Sequence, residues 1–384
     1  MSSSSNSLSE KNDALSIVDA QFTFAVQQYN GMLARIVEER TRIPRTFEKG
    51  QLNLVSSKDW TSGFFPGSLW FIYEYTKNPK FRIAAEAFTA RLEGIKSYAD
   101  THDIGFMLNC SYGQGWRLTG DSAYRDVLLA GARTLIRRYN PRVSQIRSWN
   151  SPDWKYPVII DNMMNLELLF WAYSVTGEAI FLAIASSHAY RTLTDHFRAD
   201  GSSFHLVDYE PSTGKVIKRQ TVQGHADTSA WARGQAWGLY GYTMAYRFTQ
   251  NPAFLAQAQQ IADFIVNHPR LPDDKVPFWD FDAPSIPDAP RDSSAASIMA
   301  SALLELSHYT TSARASSYLN VARQQILALT SPQFRAVLGE NGGFLLMHGV
   351  GHLPVNVEID CPLAYGDYYF LEALLRYRTR FASL

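Results

Sequence analysis

Hydrophobic and polar residues recur along most of the 384-residue chain with the spacing of helices that bury one or more faces. The pattern predicts about twelve helices and few strands. A short β-hairpin is the clearest strand signal, running over 204–209 and returning through Pro-Ser-Thr-Gly to 216–217. The predicted helices span 13–38, 62–76, 80–99, 103–118, 121–139, 161–176, 179–198, 228–249, 252–268, 291–309, 315–330 and 362–379.

A degenerate internal repeat separates pairs of these helices. Each copy begins with Thr at the end of one helix, continues with Asp, Asn or Glu as a capping residue, and reaches an aromatic residue in the next helix. Five short junctions between twelve helices imply six helical hairpins, the number that closes an (α/α)6 barrel. The copies are Thr76–Phe81, Thr119–Tyr124, Thr176–Phe181, Thr249–Phe254 and, more loosely, Thr310–Tyr318.

The fold class is therefore predicted to be all-α, with residues 1–384 forming one (α/α)6 barrel domain and residues 1–12 a flexible N-terminal tail. Inner and outer helices alternate in such a barrel, so the long connections and the N-termini of the inner helices gather at one end. Long loops on a rigid scaffold commonly carry function. The long connections cover 39–61, 140–160, 199–227, 269–290 and 331–361.

Composition narrows the possible functions. Lys plus Arg and Asp plus Glu are each 36, so no overall field attracts nucleic acid or an anionic membrane. Apolar runs are too short for a bilayer span, and the first residues lack a signal-peptide pattern. We expect a cytoplasmic protein, or a periplasmic one if an export signal has been removed. Aromatic residues, at 13%, suit flat-faced ligands such as sugars, although core packing also uses them.

The richest polar cluster in an apolar helix is Asp161, Asn162 and Asn165. An Asp at a helix start can cap the helix by accepting hydrogen bonds from its free N–H groups. A buried carboxylate beside apolar groups can instead have the raised pKa that a general acid needs near neutral pH. The two interpretations are evenly balanced from this stretch alone.

Two other inner helices begin with comparable residues. His102 and Asp103 open the helix before that of Asp161, so Asp103 is expected to face Asp161 across the barrel mouth; a capping Asp beside a structural His is the alternative. Trp60 precedes the first inner helix, where its ring could stack on a sugar.

A single cation lies among aromatic and small residues in the stretch 223–241. Arg233 stands between Trp231 and Trp237, so it is expected to be desolvated and to need a partner. That partner is either Asp227 or a ligand carboxylate held by two hydrogen bonds.

The sequence carries no phosphate or dinucleotide fingerprint and no convincing metal site. Cys110 and Cys361 match neither a metal spacing nor a disulfide framework. The histidines of 348–352 and the acidic residues after them are better interpreted as a loop over the barrel mouth than as metal ligands. No cofactor is expected.

The chain resembles the unsaturated glucuronyl hydrolases of glycoside hydrolase family 88 from about Trp60 to Arg376. The resemblance implies an (α/α)6 barrel that removes a 4,5-unsaturated uronic acid from the non-reducing end of oligosaccharides left by polysaccharide lyases. The matching stretches are Trp60–Trp70, His102–Asp103, Asp161–Asn165, Asp200–Tyr209, Gln223–Tyr242, Val276–Phe281, Arg291–Leu304 and Ala364–Leu375.

The resemblance also implies roles for single residues. Asp161 would be the acid and base, and Asp103 the second essential carboxylate, which holds sugar hydroxyls. Ser62 departs from the Asn of many relatives, which affects hydroxyl or leaving-sugar recognition. The residues expected to bind the substrate are Trp60, Ser62, His102, His205, Gln223, Trp231, Arg233 and Trp237.

The implied chemistry is hydration of the C4=C5 enol ether rather than attack at C1. Protonation at C4 and addition of water at C5 give a hemiketal that opens and releases the partner sugar. Alternatives are an unsaturated rhamnogalacturonyl hydrolase, a barrel-type sugar epimerase and a non-catalytic sugar-binding protein. The partner expected in each case is a saccharide. The sequence leaves open its sulfation, its linkage and the oligomeric state.

Overall fold

The computed structural model describes the backbone of residues 2–382 and the side chains of residues 11–381. Thirteen α-helices and nine short strands are present in this part of the chain. The helices are α1 (Ser2–Arg35), α2 (Phe64–Thr76), α3 (Pro79–Ala90), α4 (Ile104–Leu108), α5 (Gln114–Thr119), α6 (Ser122–Ile136), α7 (Asn162–Thr176), α8 (Ala179–Asp195), α9 (Ala232–Thr249), α10 (Pro252–Val266), α11 (Ser293–Leu306), α12 (Ser312–Leu329) and α13 (Ala364–Ala382). The strands are β1 (Ile43–Glu48), β2 (Gln51–Val55), β3 (Tyr139–Asn140), β4 (Gln145–Ile146), β5 (Pro157–Ile159), β6 (Leu206–Tyr209), β7 (Val216–Gln220), β8 (Gly349–His352) and β9 (Val357–Cys361).

The helices form two concentric rings, which confirms the predicted (α/α)6 barrel. In the inner ring, α2, α4 with α5, α7, α9, α11 and α13 contact one another in that order, and α13 closes the ring against α2. Each outer helix packs on its sequence neighbour in the inner ring. The inner helices are apolar nearly all round because they are buried on every side, whereas outer helices such as α6 and α10 bury one stripe.

The repeated junctions share one hydrogen-bond pattern. In four of them the Thr side chain accepts a hydrogen bond from the backbone N–H two residues later, at 3.1–3.2 Å. The residue between them turns the chain with a positive φ, as at Gly177 (72°). Asn78, Asp121 and Asn251 then cap the following helix through their side chains. The sequence repeat is thus a capping device.

Several predicted boundaries were wrong. The first helix begins at Ser2 rather than residue 13, so the predicted tail at 1–12 lies almost wholly outside the described side chains and its flexibility stays a prediction. The helix predicted over 103–118 contains a π-helical turn, Asn109–Gly113, between α4 and α5. The helix predicted from 228 begins at Ala232, because the preceding residues fold into a polar turn.

The mouth of the barrel is built from the long connections, which carry the strands. The predicted hairpin is confirmed as β6 and β7, and β5 joins it as a third antiparallel strand. The hairpins β1–β2 and β8–β9 were not predicted, although β2 and β9 alternate polar and apolar residues, because they lie within the predicted long connections 39–61 and 331–361.

No described helix is long and apolar enough to cross a membrane.

Candidate active site

Two carboxylates stand at equivalent positions in the barrel mouth. Asp103 immediately precedes α4 and Asp161 immediately precedes α7, and these helices are neighbours in the inner ring. Both residues have helical backbone angles, and neither side chain accepts a capping hydrogen bond. Both are almost fully buried, with 9% and 6% exposure. The capping interpretation of their carboxylates is therefore wrong, and their charges lack a structural explanation at the helix start.

Asp103 is held by polar groups on three sides. Its carboxylate accepts hydrogen bonds from the Thr101 hydroxyl at 3.1 Å and from the Asn165 amide at 3.4 Å. His102 Nε2 lies 3.2 Å from the same carboxylate. Burial raises the pKa of Asp103 above its ordinary value, while His102 lowers it and the charge of Asp161 raises it. The two carboxylates therefore interact electrostatically, and they do so from adjacent helices rather than from opposite sides of the mouth.

Asp161 faces the imidazole of His205. His205 Nδ1 accepts hydrogen bonds from the backbone N–H groups of Val222 and Gln223, at 3.0 and 3.2 Å. In a neutral ring this leaves the proton on Nε2, which lies 3.5 Å from Asp161 Oδ1. Neither Nε2 nor Oδ1 has a hydrogen-bond partner among the described residues. Unpartnered buried polar atoms at this point are suited to receive a substrate or a water molecule.

Arg233 is 1% exposed and uses its guanidinium to connect the mouth loops. Nη1 donates to Asp292 Oδ2 at 3.4 Å and to the Val350 carbonyl. Nη2 donates to Gln223 Oε1 and to the Gly351 carbonyl, both at 2.6 Å. Its charge partner is Asp292, not Asp227, whose side chain accepts from the Thr221 N–H. Arg233 thus orients Gln223 and the β8–β9 hairpin.

Aromatic rings line the same end of the barrel. The Trp231 ring lies 4.6 Å from the His205 ring and 4.5 Å from the Arg233 guanidinium. Trp60 packs at 4.9 Å on Tyr365 in the first turn of α13, and Trp237 packs between aromatic neighbours deeper in the ring. The hydroxyl of Tyr365 and the indole N–H of Trp237 are buried without a partner among the described residues.

The structure brings most predicted residues together but gives some of them internal partners. Ser62 is buried, and its hydroxyl donates to the Ser57 carbonyl at 2.9 Å. His102 is buried directly behind Asp103, and burial lowers its pKa.

Sequence reasoning noted Asn165 without giving it a role, and it missed Tyr365. Asn165 Oδ1 accepts from the Phe106 N–H at 2.7 Å, so this side chain ties α4 to α7. Tyr365 lies in the first turn of an inner helix, close to the helix-start positions of Asp103 and Asp161, and that placement could have revealed it.

Comparison with known proteins identifies the family of the chain. The model of Glycosyl Hydrolase Family 88 matches residues 35–374. The chain belongs to this family. It is 50% identical over 325 residues to an unsaturated glucuronyl hydrolase of Formosa agariphila, covering 84% of this chain and 80% of that protein. A second unsaturated glucuronyl hydrolase, from Bacillus sp. strain GL1, is 35% identical over 332 residues, which cover 84% and 87% of the two chains.

A solved structure gives the same result. The fold matches a crystal structure of an unsaturated glucuronyl hydrolase specific for heparin with a TM-score of 0.90 and 45% sequence identity. The match covers 94% of this chain and 97% of that one. The family and the glycoside hydrolase class predicted from the sequence are confirmed.

Proposed function

We propose that the protein hydrates the C4=C5 bond of a 4,5-unsaturated uronic acid at the non-reducing end of an oligosaccharide and thereby releases that sugar. The observation that carries this proposal is the pair of buried carboxylates, Asp103 and Asp161, at the starts of adjacent inner helices without capping bonds. An epimerase or a silent sugar-binding protein would need no such pair. Membership of a glycoside hydrolase family also supports a hydrolase over an epimerase or a silent sugar-binding protein.

In the proposed mechanism Asp161 donates a proton to C4 of the enol ether. The positive charge then develops at C5, where the ring oxygen shares it. Water adds at C5 while Asp161, now a carboxylate, removes its proton, so the same residue acts first as acid and then as base. The resulting hemiketal opens to a carbonyl at C5 and releases the partner sugar. Atoms balance with one water consumed and no cofactor needed.

The neighbouring groups suit supporting roles. The free Nε2–H of His205 can donate a hydrogen bond to Asp161 or to the attacking water, because it lies 3.5 Å from Asp161 Oδ1. Asp103, held by Asn165 and Thr101, can accept hydrogen bonds from sugar hydroxyls. Gln223 can donate its amide N–H to the substrate carboxylate while its oxygen stays on Arg233.

The aromatic residues would bound the sugar. Trp60, Trp231 and Tyr365 offer ring faces or edges at the mouth, and Trp237 forms the floor. Arg233 adds positive charge behind Gln223 in a water-poor site, where such a charge stabilises a uronate more than it would in water.

The substrate class that we propose is an acidic, glycosaminoglycan-type oligosaccharide. The 45% identical solved relative is described as specific for heparin, which supports this class over the rhamnogalacturonyl alternative. We also propose that the chain acts as one catalytic domain in the cytoplasm. A continuous core from Ala14 to Tyr377 supports the single domain, and cell fractionation would test the location.

Isotope labelling tests the mechanism directly. Turnover in deuterium oxide is expected to leave deuterium on C4, because the acid's proton equilibrates with solvent. Brief turnover in heavy-oxygen water is expected to label the C5 carbonyl oxygen first, with loss of the ultraviolet absorbance of the double bond. Retention of that absorbance in the released sugar, without deuterium at C4, would show direct hydrolysis at C1 and overturn the proposal.

A further inference from the structure

A groove of about 320 Å³ outside the barrel mouth collects three arginines. Arg137 and Arg138 follow α6, and Arg147 follows β4. The groove also contains the polar side chains of Asn140, Asn150 and Tyr156, and no carboxylate lines it. Three positive charges therefore share one concave surface in a protein whose acidic and basic residues are equal in number.

These charges have no carboxylate counter-ions within the described residues. Arg138 is fixed by backbone carbonyls: it donates to Ala99 O at 2.6 Å, Arg147 O at 2.8 Å and Ser148 O at 3.3 Å. Burial lowers its pKa, and so does the like charge of Arg147, against a raising effect of Asp100 and Asp103. Like charges held together at a cost in free energy favour an anion between them.

The guanidinium groups of Arg137 and Arg147 are available to such an anion. Arg137 is exposed and Arg147 half-buried, and neither side chain makes a hydrogen bond or ion pair within the described part of the chain. Arg147 lies 5.9 Å from the Tyr156 ring, and its Nε is buried without a partner. Guanidinium groups recognise carboxylates and sulfates through paired N–H donors.

The groove adjoins the candidate active site through one short segment. Ser148 O accepts hydrogen bonds both from Arg138 Nη2 in the groove and from the backbone N–H of His102 beside Asp103. The next residue, Trp149, contacts the ring of His205 edge-on at 6.2 Å. Asn150, which follows, lines the groove. A chain leaving the mouth past Trp149 would therefore meet the arginines.

We propose that Arg137, Arg138 and Arg147 form an anion subsite that binds a sulfate or carboxylate group of an acidic oligosaccharide, beyond the leaving sugar. The inference rests on the proposed function, because it assumes a substrate that starts at Asp161. It extends that function by selecting longer acidic substrates over disaccharides.

The test compares the Arg137→Ala/Arg147→Ala double variant with the wild type and with Arg142→Ala. Arg142 is an exposed arginine in the same segment that does not line the groove. Kinetics are measured with an unsaturated disaccharide and with a sulfated unsaturated tetrasaccharide of the same repeat. Calorimetry then measures binding of a saturated sulfated tetrasaccharide and of its desulfated form, which separates sulfate from carboxylate recognition.

The double variant is expected to raise KM for the tetrasaccharide about ten-fold, with KM and kcat for the disaccharide unchanged. The calorimetric Kd for the saturated sulfated tetrasaccharide should rise by a similar factor, and the effect should shrink at high salt. An unchanged tetrasaccharide KM and Kd, or an equal effect in Arg142→Ala, would overturn the subsite. If the wild type converts neither unsaturated substrate, the proposed function fails, and the calorimetric comparison still decides whether the groove binds anions.

Discussion

At the scale of single residues, an aspartate that immediately precedes a helix has a different role in the outer ring than in the inner ring. Asp121 precedes the outer helix α6, is exposed, and accepts a capping hydrogen bond from the Ala123 N–H at 2.9 Å. Asp161 precedes the inner helix α7, is buried, and makes no such bond. A cap stabilises its helix, whereas a buried carboxylate without that bond is available for chemistry.

Asp161→Asn is therefore expected to lower kcat by about three orders of magnitude with an unchanged melting temperature. The amide cannot deliver a proton, and no capping bond is lost. Activity assays and thermal unfolding measure the two effects.

Asp121→Ala is the matched control for this variant. It should cost about 1 kcal/mol of stability and leave kcat unchanged. A large drop in the melting temperature of Asp161→Asn would show that Asp161 is structural.

Arg233→Lys is expected to lower the free energy of unfolding by about 3 kcal/mol and to raise KM for unsaturated uronides. A lysine cannot reach Asp292, Gln223 and the two hairpin carbonyls together, so a buried carboxylate loses its partner. Urea unfolding and steady-state kinetics measure the outcome.

Arg133→Lys serves as the control, because Arg133 forms an exposed two-bond ion pair with Glu178. It should change stability by less than about 1 kcal/mol. Equal effects of the two replacements would contradict the positioning role of Arg233.

At the scale of elements, the contact between α4 and α7 sets the spacing of the two carboxylates. Gly105 in α4 touches α7 so closely that an added Cβ would lie 2.6 Å from Asn165 Cα and Oδ1. Asn165 itself bonds the Phe106 N–H and Asp103. A π-helical turn, Asn109–Gly113, follows α4 just beyond this contact. A small residue is thus required where the helices that carry Asp103 and Asp161 meet.

Gly105→Ala is expected to destabilise the protein by about 1–3 kcal/mol and to lower kcat, because α7 must shift away from α4. Denaturant unfolding and kinetics with the disaccharide provide the measurement.

Gly31→Ala, in α1, is the comparison, since an added Cβ there meets nothing within 4 Å. It should stabilise the protein by about 0.5–1 kcal/mol through the higher helix propensity of Ala. If Gly105→Ala behaves like Gly31→Ala, the close contact does not control the site.

At the scale of the whole molecule, the buried carboxylates at the two ends of the barrel differ in whether an arginine is paired with them. A cavity of about 410 Å³ at the end opposite the mouth contains Glu167, Glu305 and Glu372 with Arg247 and Arg376. Each of these carboxylates is paired with an arginine at 2.8–3.6 Å. Paired ions of this kind are explained by structure, whereas the Asp161 carboxylate at the mouth has no cationic arginine or lysine partner within the described residues.

The carboxylate of Asp367 connects parts of the chain that are distant in sequence. In α13, its carboxylate accepts hydrogen bonds from Tyr29 of α1 at 3.0 Å and from the N–H groups of Leu345 and Leu346 at 2.9 and 3.1 Å. Burial raises its pKa to about 7, although these hydrogen bonds lower it. The native state therefore holds a proton that the unfolded chain releases near its ordinary pKa.

Because the folded pKa is raised, the stability that Asp367 contributes is complete below about pH 4 and is lost as the pH rises toward 7. In the wild type, this loss amounts to at most roughly 4 kcal/mol of the free energy of unfolding across this pH range. Because asparagine cannot ionise, Asp367→Asn should lack this part of the pH dependence. Urea unfolding at several pH values measures the difference between variant and wild type. The lost hydrogen-bond acceptor adds a constant offset, and a pH-independent difference would contradict the raised pKa.

Local signals in the sequence determined the helical fold and the number of hairpins. The Thr-led junctions recur because each copy makes its own capping bonds, independent of distant residues. The β1–β2 and β8–β9 hairpins escaped prediction because contacts across the mouth, such as Arg233 to the Val350 and Gly351 carbonyls, hold β8 in place.

The candidate site shows the same division. The sequence by itself identified Asp103, Asp161 and Arg233 as unusual, because charged groups in apolar helices need a reason, whereas His205 was predicted only from the resemblance to family 88. Only the tertiary structure decided that the carboxylates do not cap, that His205 presents Nε2–H to Asp161 and that Asp292 pairs with Arg233. These facts depend on atoms brought together from separate helices and loops, and hydrophobic periodicity carries no information about such long-range contacts.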